Sequence, residues 1–194
     1  MAATETGVWD LQDVRDKQLA SEWSYDAASD PGSLYGWGDN NYGNLGLNDR
    51  TDRSSPTQMP GTTWSNVASN IDLFVATKTD GTLWTWGRND NGDLGQNQGP
   101  AQLADVSSPV QIPGTTWPTS NSYHLDGSMT DCKAIKTDGT LWGWGNNEIG
   151  ELSQNNVANY SSPIQIPGTT WSSVSLGQNN VYAIKTNGTL WTWG

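Results

Sequence analysis

The sequence is poor in the residues that carry most protein chemistry. Its 194 residues include one cysteine, one histidine and one phenylalanine, with nine lysines and arginines against twenty aspartates and glutamates. The single Cys132 excludes an internal disulfide and any paired-cysteine metal site. The net charge of −11 argues against nucleic-acid binding, because neutralising phosphates requires clustered basic residues.

Long apolar runs are also missing. No stretch approaches the roughly 18 apolar residues of a transmembrane helix. The opening MAATETGVWD has neither the basic nor the apolar region of a signal peptide. We therefore expect synthesis in a cytoplasm and no membrane insertion.

The sequence has instead many tryptophans and glycines and an internal repeat. It contains 12 Trp and 22 Gly, and near-copies of LWTWG start at residues 34, 83, 141 and 190. Self-similarity at a period of about 50 residues is typical of solenoids and propellers. The organisation that follows is an N-terminal segment over 1–26 and repeats over 27–194, with units of about 34–82, 83–140 and 141–194.

Each unit combines a polar turn, a proline-flanked segment and a hairpin. The turn has the pattern x-Asn-x-x-Gly-x-Leu, the segment reads SSPxQI or SSPTQM, and the hairpin contains Asp-Gly or Asn-Gly. Asp80-Gly81 predicts a two-residue type I′ turn that pairs Thr79 with Thr82. Such units yield about four short strands each, so we predict an all-β fold of about three and a half four-stranded propeller blades.

The N-terminal segment contains no repeat and predicts one short helix. Asp10 is a plausible N-cap for residues 11–23. The apolar residues of this segment are Trp9, Leu11, Val14, Leu19 and Trp23. Two interpretations remain open: the helix caps the edge of the first blade, or it is an attachment segment that docks on another protein.

The repeats resemble a known family. The motifs WG-x-Asn-x-x-Gly-x-Leu-Gly, SSPxQI and AIKTDGTLWxWG are similar to the RCC1 family of β-propellers over about residues 27–194. The version TDGTLWTWG resembles RCC1-like repeats of marine bacteriophage structural proteins, and TGVWDLQDVRDKQLASEW resembles the openings of phage tail and virion proteins.

This resemblance implies a non-enzymatic virion protein of the tail, fibre or capsid appendage, made in the host cytoplasm. It implies several copies in an assembly, joined to other virion proteins through residues 1–26, with a host-surface glycan or protein as a further partner. Two alternatives are a carbohydrate-binding, lectin-like propeller and an RCC1-type regulatory protein-binding domain, because fold alone does not determine function.

The sequence offers no convincing catalytic or metal-binding set. His124 is the only histidine, and its neighbours Ser122 and Asp126 share one short loop, which does not by itself build a triad. The segment Asn89–Asp93 is similar to a calcium loop, but its glycine comes one residue too early and a bidentate glutamate is missing. We predict no catalytic residues, no metal and no cofactor.

Binding is expected instead at the tips of the polar turns, where three positions vary within a constant pattern. The variable positions are Asp39, Arg88 and Asn146, then Asn41, Asp90 and Glu148, and finally Tyr42, Asn91 and Ile149. Binding surfaces are commonly built from variable tips on a fixed scaffold. Neutral drift of surface residues explains the same pattern, and the sequence leaves both explanations open.

The number of units raises a question of closure. Three units and one extra hairpin fall short of the 4–8 blades of a closed propeller. An open edge rich in tryptophan favours aggregation unless it is covered. We therefore expect the chain to be part of a longer protein, with association of copies to close the ring as the alternative.

Overall fold

The computed structural model describes residues 32–69, 71–119, 125–127 and 131–194. Strands and turns make up this part of the chain, which contains no helix, so the all-β prediction is confirmed. The predicted N-terminal helix lies outside the described residues, together with Trp9, Leu11, Val14, Leu19 and Trp23. The strands are β1 Tyr35–Gly38, β2 Arg53–Gln58, β3 Trp64–Ser69, β4 Leu73–Lys78, β5 Leu83–Gly87, β6 Val106–Ile112, β7 Leu125–Gly127, β8 Asp131–Ile135, β9 Leu141–Gly145, β10 Tyr160–Gln165, β11 Trp171–Leu176, β12 Val181–Lys185 and β13 Leu190–Trp193.

These strands form four antiparallel sheets within the described residues. The first sheet pairs β1 with β2, the second has the order β3-β4-β5-β6, the third β7-β8-β9-β10, and the fourth β11-β12-β13. Each four-stranded sheet takes two strands from one sequence unit and two from the next. The strands β3, β7 and β11 contact one another in turn, so successive sheets converge at their first strands as propeller blades do.

The hairpins differ from the predicted type I′ turns. Gly81 N donates to Lys78 O at 3.0 Å, and Lys78 N donates to Thr82 O at 3.0 Å, so the loop has three residues and Lys78, not Thr79, faces Thr82. Of the loop residues only Gly81 has a positive φ, 79°. This is a type I turn followed by a left-handed glycine, the usual three-residue hairpin. The prediction of a two-residue turn was wrong.

The two faces of each sheet pack against different neighbours, as the alternation in LWTWG predicts. Leu83 joins a buried cluster with Cys132 and Trp144 of the following sheet. Trp86, on the other face of β5, packs with Met59 from the preceding repeat. Large indoles therefore fill the spaces between sheets and supply much of the core, each burying on the order of 150–250 Å².

Candidate functional site

A buried asparagine organises each of the three polar turns. Asn40 Oδ1 accepts a hydrogen bond from Leu45 N at 2.9 Å, while its Nδ2 donates to Asp49 O at 3.0 Å. The same bond to the turn leucine measures 3.0 Å at Asn89 and 2.7 Å at Asn147. One side chain thus ties the turn to the loop that follows, which gives the three tips a common backbone.

Glycine in the first two turns allows these turns to approach the next repeat closely. Gly43 has φ 77°, and a Cβ there would lie 2.4 Å from the Cα of Ser107; Gly92 has φ 82°, and a Cβ would lie 2.6 Å from the Cβ of Ser161. The nearby Asn48 N donates to Ser107 O at 2.7 Å. The first two turns are therefore part of the contact between one repeat and the next.

Tyr42, Arg88 and Asp90 come together at the surface from two neighbouring turns. The guanidinium carbon of Arg88 lies 5.0 Å from the Tyr42 ring centroid, and Arg88 Nη2 lies 2.5 Å from Asp90 Oδ2. Arg88 Nη1 also reaches Asp72 Oδ2 at 3.4 Å. A cation–π contact at the protein surface contributes only about 0.5–1 kcal/mol. Together with the ion pair it holds the arginine side chain between the two tips.

Most of the remaining tip residues are exposed to solvent, and one is buried and bonded within its own turn. Asp39, Asn41, Glu148 and Ile149 are exposed. Asn146 is buried, and its Oδ1 accepts a hydrogen bond from Glu148 N at 2.9 Å. Each turn consequently presents one exposed acid at its tip, namely Asp39, Asp90 or Glu148.

A buried charge cluster below the second turn escaped the sequence analysis. It comprises Asp93, Asp131 and Lys133, and Lys133 Nζ pairs with Asp131 Oδ2 with both side chains buried. Asp93 Oδ2 accepts a hydrogen bond from Asn91 N at 3.1 Å, whereas Oδ1 has no partner in the described part of the chain. Burial, aided by the charge of Asp131, raises the pKa of Asp93 to about 7.

One glycine could have pointed to this cluster. Gly143 stands in LWGWG where the neighbouring copies have Thr85 and Thr192. A Cβ at Gly143 would lie 2.8 Å from Lys133 Cδ and 2.9 Å from Leu152 Cδ2. The missing side chain makes room for the buried lysine, but the sequence alone does not show that position 133 faces position 143.

The described residues show no metal centre and no membrane-spanning helix. Among residues 32–69, 71–119, 125–127 and 131–194, no group of three His, Cys, Asp or Glu side chains could hold a metal ion. No helix in that part of the chain is long and apolar enough to cross a bilayer. His124 lies outside the described residues.

Comparison with known proteins identifies the repeats. The family model described as regulator of chromosome condensation (RCC1) repeat matches residues 31–69, 80–120 and 138–184. The chain belongs to the RCC1 repeat family. It is 32% identical over 159 residues to the ultraviolet-B receptor UVR8 of Arabidopsis thaliana, a match that covers 80% of this chain and 35% of UVR8.

Solved RCC1-type structures support the same assignment. Human WBSCR16 matches with a TM-score of 0.69 and 25% identity, over 85% of this chain and 44% of that chain. Yeast RCC1 (Prp20), solved with Kap60 bound, matches with a TM-score of 0.69 and 19% identity, over 84% of this chain and 40% of that chain. The chain thus spans less than half the length of these relatives.

Each RCC1 repeat described here also places a lysine between two indoles. Lys78 Nζ lies 4.7 and 4.0 Å from the ring centroids of Trp64 and Trp84. The equivalent sets are Lys136 with Trp117 and Trp142, and Lys185 with Trp171 and Trp191. The repeated lysine of KTDG and KTNG was visible in the sequence, but its contact with the tryptophan that precedes the hairpin depends on the fold.

Proposed function

We propose that this RCC1 repeat protein is a non-enzymatic structural component of a bacteriophage particle, in the tail, a fibre or a capsid appendage. Its repeats act as a scaffold, and the tips of the polar turns contact another virion protein or a host-surface protein. The N-terminal segment joins the chain to the particle. The partner surface is basic, because Asp39 and Glu148 are exposed acids at the first and third tips, whereas Asp90 at the second tip is paired with Arg88.

The arrangement of the turns carries this proposal. Asn40, Asn89 and Asn147 make the same buried bonds, while the exposed acids Asp39, Asp90 and Glu148 differ in position within the turn and in side-chain length. Because the buried asparagines hold the turn backbone, the side chains at the tips can differ without disturbing it. Acidic side chains at the tips favour a positively charged partner.

The relatives and the resemblance support different parts of the proposal. Yeast RCC1 (Prp20) has been solved with another protein, Kap60, bound to it, which supports a role in protein binding. The virion role is supported by the resemblance of TDGTLWTWG and of the opening segment to phage structural proteins. A carbohydrate-binding role is less favoured, because Trp86, Trp117 and Trp144 are buried in the core.

The virion role is tested by mass spectrometry of particles purified from the source of this sequence. We expect the polypeptide in fixed stoichiometry with the other structural proteins after washing in high salt. Its absence from intact particles would refute the virion role and leave the protein-binding role to be tested separately.

The tips are tested by incorporation of variants into those particles. Asp39→Asn with Glu148→Gln removes the two tip charges that are not paired with an arginine and is expected to lower incorporation about tenfold or more. The matched control, Asp80→Asn with Asp138→Asn, removes two charges at the opposite ends of the hairpins, where the last repeat already has Asn187. Equal incorporation of both double variants would show that the tips do not bind the partner.

A further inference from the structure

A cavity of about 250 Å³ opens between the second and third sheets, and the contacts proposed at the tips do not use it. Ile112 and Pro113 at the end of β6 line one side, while Lys136 and Trp142, which flank the turn between β8 and β9, line the other. All the lining residues lie between positions 95 and 163, so the cavity belongs to the middle of the described repeats. Eight water molecules at ~30 Å³ each occupy about the same volume, so one six-membered ring with a small substituent fits.

The walls of this cavity are mostly apolar. Ile112, Pro113 and Pro163 supply aliphatic surface, and the half-buried Trp142 supplies part of an indole. Ligand sites in proteins usually combine such walls with a few polar groups that fix the orientation of the ligand. Indole and proline surfaces are flat, so they favour a ligand that can lay the face of a ring against them.

Lys136 places a positive charge in this apolar site. Its Nζ lies 4.6 and 4.0 Å from the ring centroids of Trp117 and Trp142, and it has no hydrogen bond or ion pair with any described residue. Burial lowers the pKa of Lys136, although the charge of Asp138 opposes this effect. The ammonium group has thus lost part of its hydration without gaining an acceptor, and a carboxylate would supply one.

Asn97 provides a second donor at the same site. Its backbone has φ 58° and its N donates to Ser161 O at 2.6 Å, which fixes the residue beside the third sheet. The side-chain Oδ1 accepts a hydrogen bond from Ser162 Oγ at 2.9 Å, whereas Nδ2 has no partner among the described residues. Both available polar groups are therefore donors, which favours a ligand that carries acceptors.

The equivalent place between the first and second sheets has the same lysine and indoles but holds a leucine. Lys78 lies between Trp64 and Trp84 as Lys136 does between its own pair. Leu47, which follows the first polar turn, packs against the buried cluster that contains Met59 and Trp64. A side chain of the protein thus covers the apolar surface at the first site.

Gln96 replaces this leucine at the second site. Its Nε2 donates to Leu94 O at 3.3 Å and to Gln111 O at 3.2 Å, so the amide is held by the backbone of its own repeat. The glutamine therefore leaves beside Lys136 a space that a leucine occupies in the first repeat.

We propose that this cavity binds a small carboxylate built on a six-membered ring, either an aromatic acid or a sugar acid. The ring lies against Trp142, Ile112 and Pro113. The carboxylate pairs with Lys136 Nζ, and Asn97 Nδ2 donates to a further oxygen of the ligand. This site is separate from the tips and does not depend on the virion role.

The chemistry of the walls distinguishes this ligand from other classes. A cation would be repelled by Lys136, and a neutral ring would leave the partly buried ammonium without an acceptor. Inorganic phosphate would pair with the lysine but would leave the apolar walls uncovered. A carboxylate with a ring satisfies both parts of the site.

Nuclear magnetic resonance of the nitrogen-15-labelled chain tests the site, because the indole N–H of Trp142 reports on its own surroundings. Benzoate and glucuronate are the two probes, with benzyl alcohol and glucose as their uncharged counterparts. We expect one of the acids to shift the Trp142 signal with a dissociation constant in the low millimolar range, as for other ligands of about ten non-hydrogen atoms. The uncharged counterpart should bind about tenfold more weakly or not at all, because it lacks the charge-assisted bond.

Two variants and one matched control test the residues. Gln96→Leu gives the second site the residue of the first and should abolish the shift. Lys136→Gln should weaken binding about tenfold, which is the effect of losing one charge-assisted bond. Lys78→Gln removes the equivalent lysine of the first site and should leave the titration of Trp142 unchanged. The same spectra show whether each variant is folded, and Lys136→Gln decides the test if Gln96→Leu is not.

The possible outcomes are distinct. A response to benzoate alone assigns an aromatic acid, a response to glucuronate alone assigns a sugar acid, and both support the proposal. The absence of a shift with either acid at about 50 mM, well above the expected dissociation constant, would overturn it. Equal binding of an acid and its uncharged counterpart, or an unchanged affinity in Lys136→Gln, would overturn it as well.

Discussion

At the scale of single residues, the ionisation of the buried Asp93 makes the stability of the fold depend on pH. Its pKa in the folded chain is about 7, mainly because burial disfavours the charged carboxylate. The ordinary value of an aspartate is about 3.9, so between about pH 4 and 7 the folded chain holds a proton that the unfolded chain has lost. The stability contributed by protonated Asp93 is thus complete below about pH 4 and is lost as the pH rises to about 7.

Asp93→Asn should remove this pH dependence. The amide stays neutral, so the free energy of unfolding should decline less between about pH 4 and 7, by up to about 1.4 kcal/mol per pH unit, and the Tm above pH 7 should rise. Thermal melts across this range measure it, with Asp39→Asn as the exposed control. An unchanged slope in Asp93→Asn would show that another group causes the decline.

The sequence could not show that Asp93 is unusual, because it is an acidic residue at an ordinary position in a polar turn. It occupies the same place in its turn as Asn44 and Glu151, which makes all three look like surface positions. Its unusual character comes from burial and from Asp131, which is 38 positions away in the chain and begins a strand of the third sheet. By contrast, the variable tip positions were predicted to be exposed from the turn pattern alone; Asp39, Asp90 and Glu148 are exposed, but Asn146 is buried.

At the scale of strands and turns, the repeat predicted the elements but not the hairpin geometry. Asp-Gly suits a type I′ turn, yet here Asp80 Oδ1 accepts hydrogen bonds from Thr82 N at 3.0 Å and Thr82 Oγ1 at 2.6 Å. Both bonds favour a type I turn with the glycine after it, and Asp138 makes the same pair with Thr140. The deciding signal was the threonine that follows the dipeptide.

The buried charged residues of the third sheet can be replaced by the apolar residues that occupy the same positions in the second sheet. Positions 131, 133 and 143 hold Asp, Lys and Gly, where the second sheet has Leu73, Val75 and Thr85. In the natural chain Gly143→Thr should cost about 1–3 kcal/mol, because the new Cβ meets Lys133. In an Asp131→Leu, Lys133→Val background the same change should cost clearly less, because only the Leu152 side chain then remains close to the new Cβ.

Urea unfolding of the natural chain and the three variants in this cycle gives the coupling directly. The Asp131→Leu, Lys133→Val, Gly143→Thr chain should be at least as stable as the natural one, since apolar replacements of buried ion pairs are often neutral or stabilising. An equal cost of Gly143→Thr in both backgrounds would mean that Lys133 does not occupy the space that the glycine leaves.

At the scale of the whole molecule, stability depends on contacts between successive repeats. Trp86 and Trp144 each donate a hydrogen bond to the turn of the preceding repeat, both at 2.9 Å, and Trp193 makes the equivalent bond to the turn residue Glu151 at 2.8 Å. Stability in such arrays is approximately the sum of terms for each repeat and for each contact between neighbours. The sequence predicted the repeats because each is local, whereas these contacts follow only from the way the sheets stack.

Alanine substitution at two glycines distinguishes the stability of a single turn from the stability of the contact between repeats. Gly92 and Gly150 occupy the same turn position with φ 82° and 93°, but only Gly92 has a neighbour where a Cβ would lie, Ser161 at 2.6 Å. Alanine at either position bears the left-handed strain of about 1–2 kcal/mol. Gly92→Ala should lose about 1–3 kcal/mol more, because the second and third sheets must move apart.

The additional loss should also change the course of unfolding. Gly92→Ala weakens one contact in the middle of the array, so fluorescence and circular dichroism should report separate transitions in urea, whereas Gly150→Ala should keep a single transition at a lower midpoint. Because strain in the turn itself is common to both variants, equal losses of stability would show that the approach of Gly92 to Ser161 does not connect the repeats energetically.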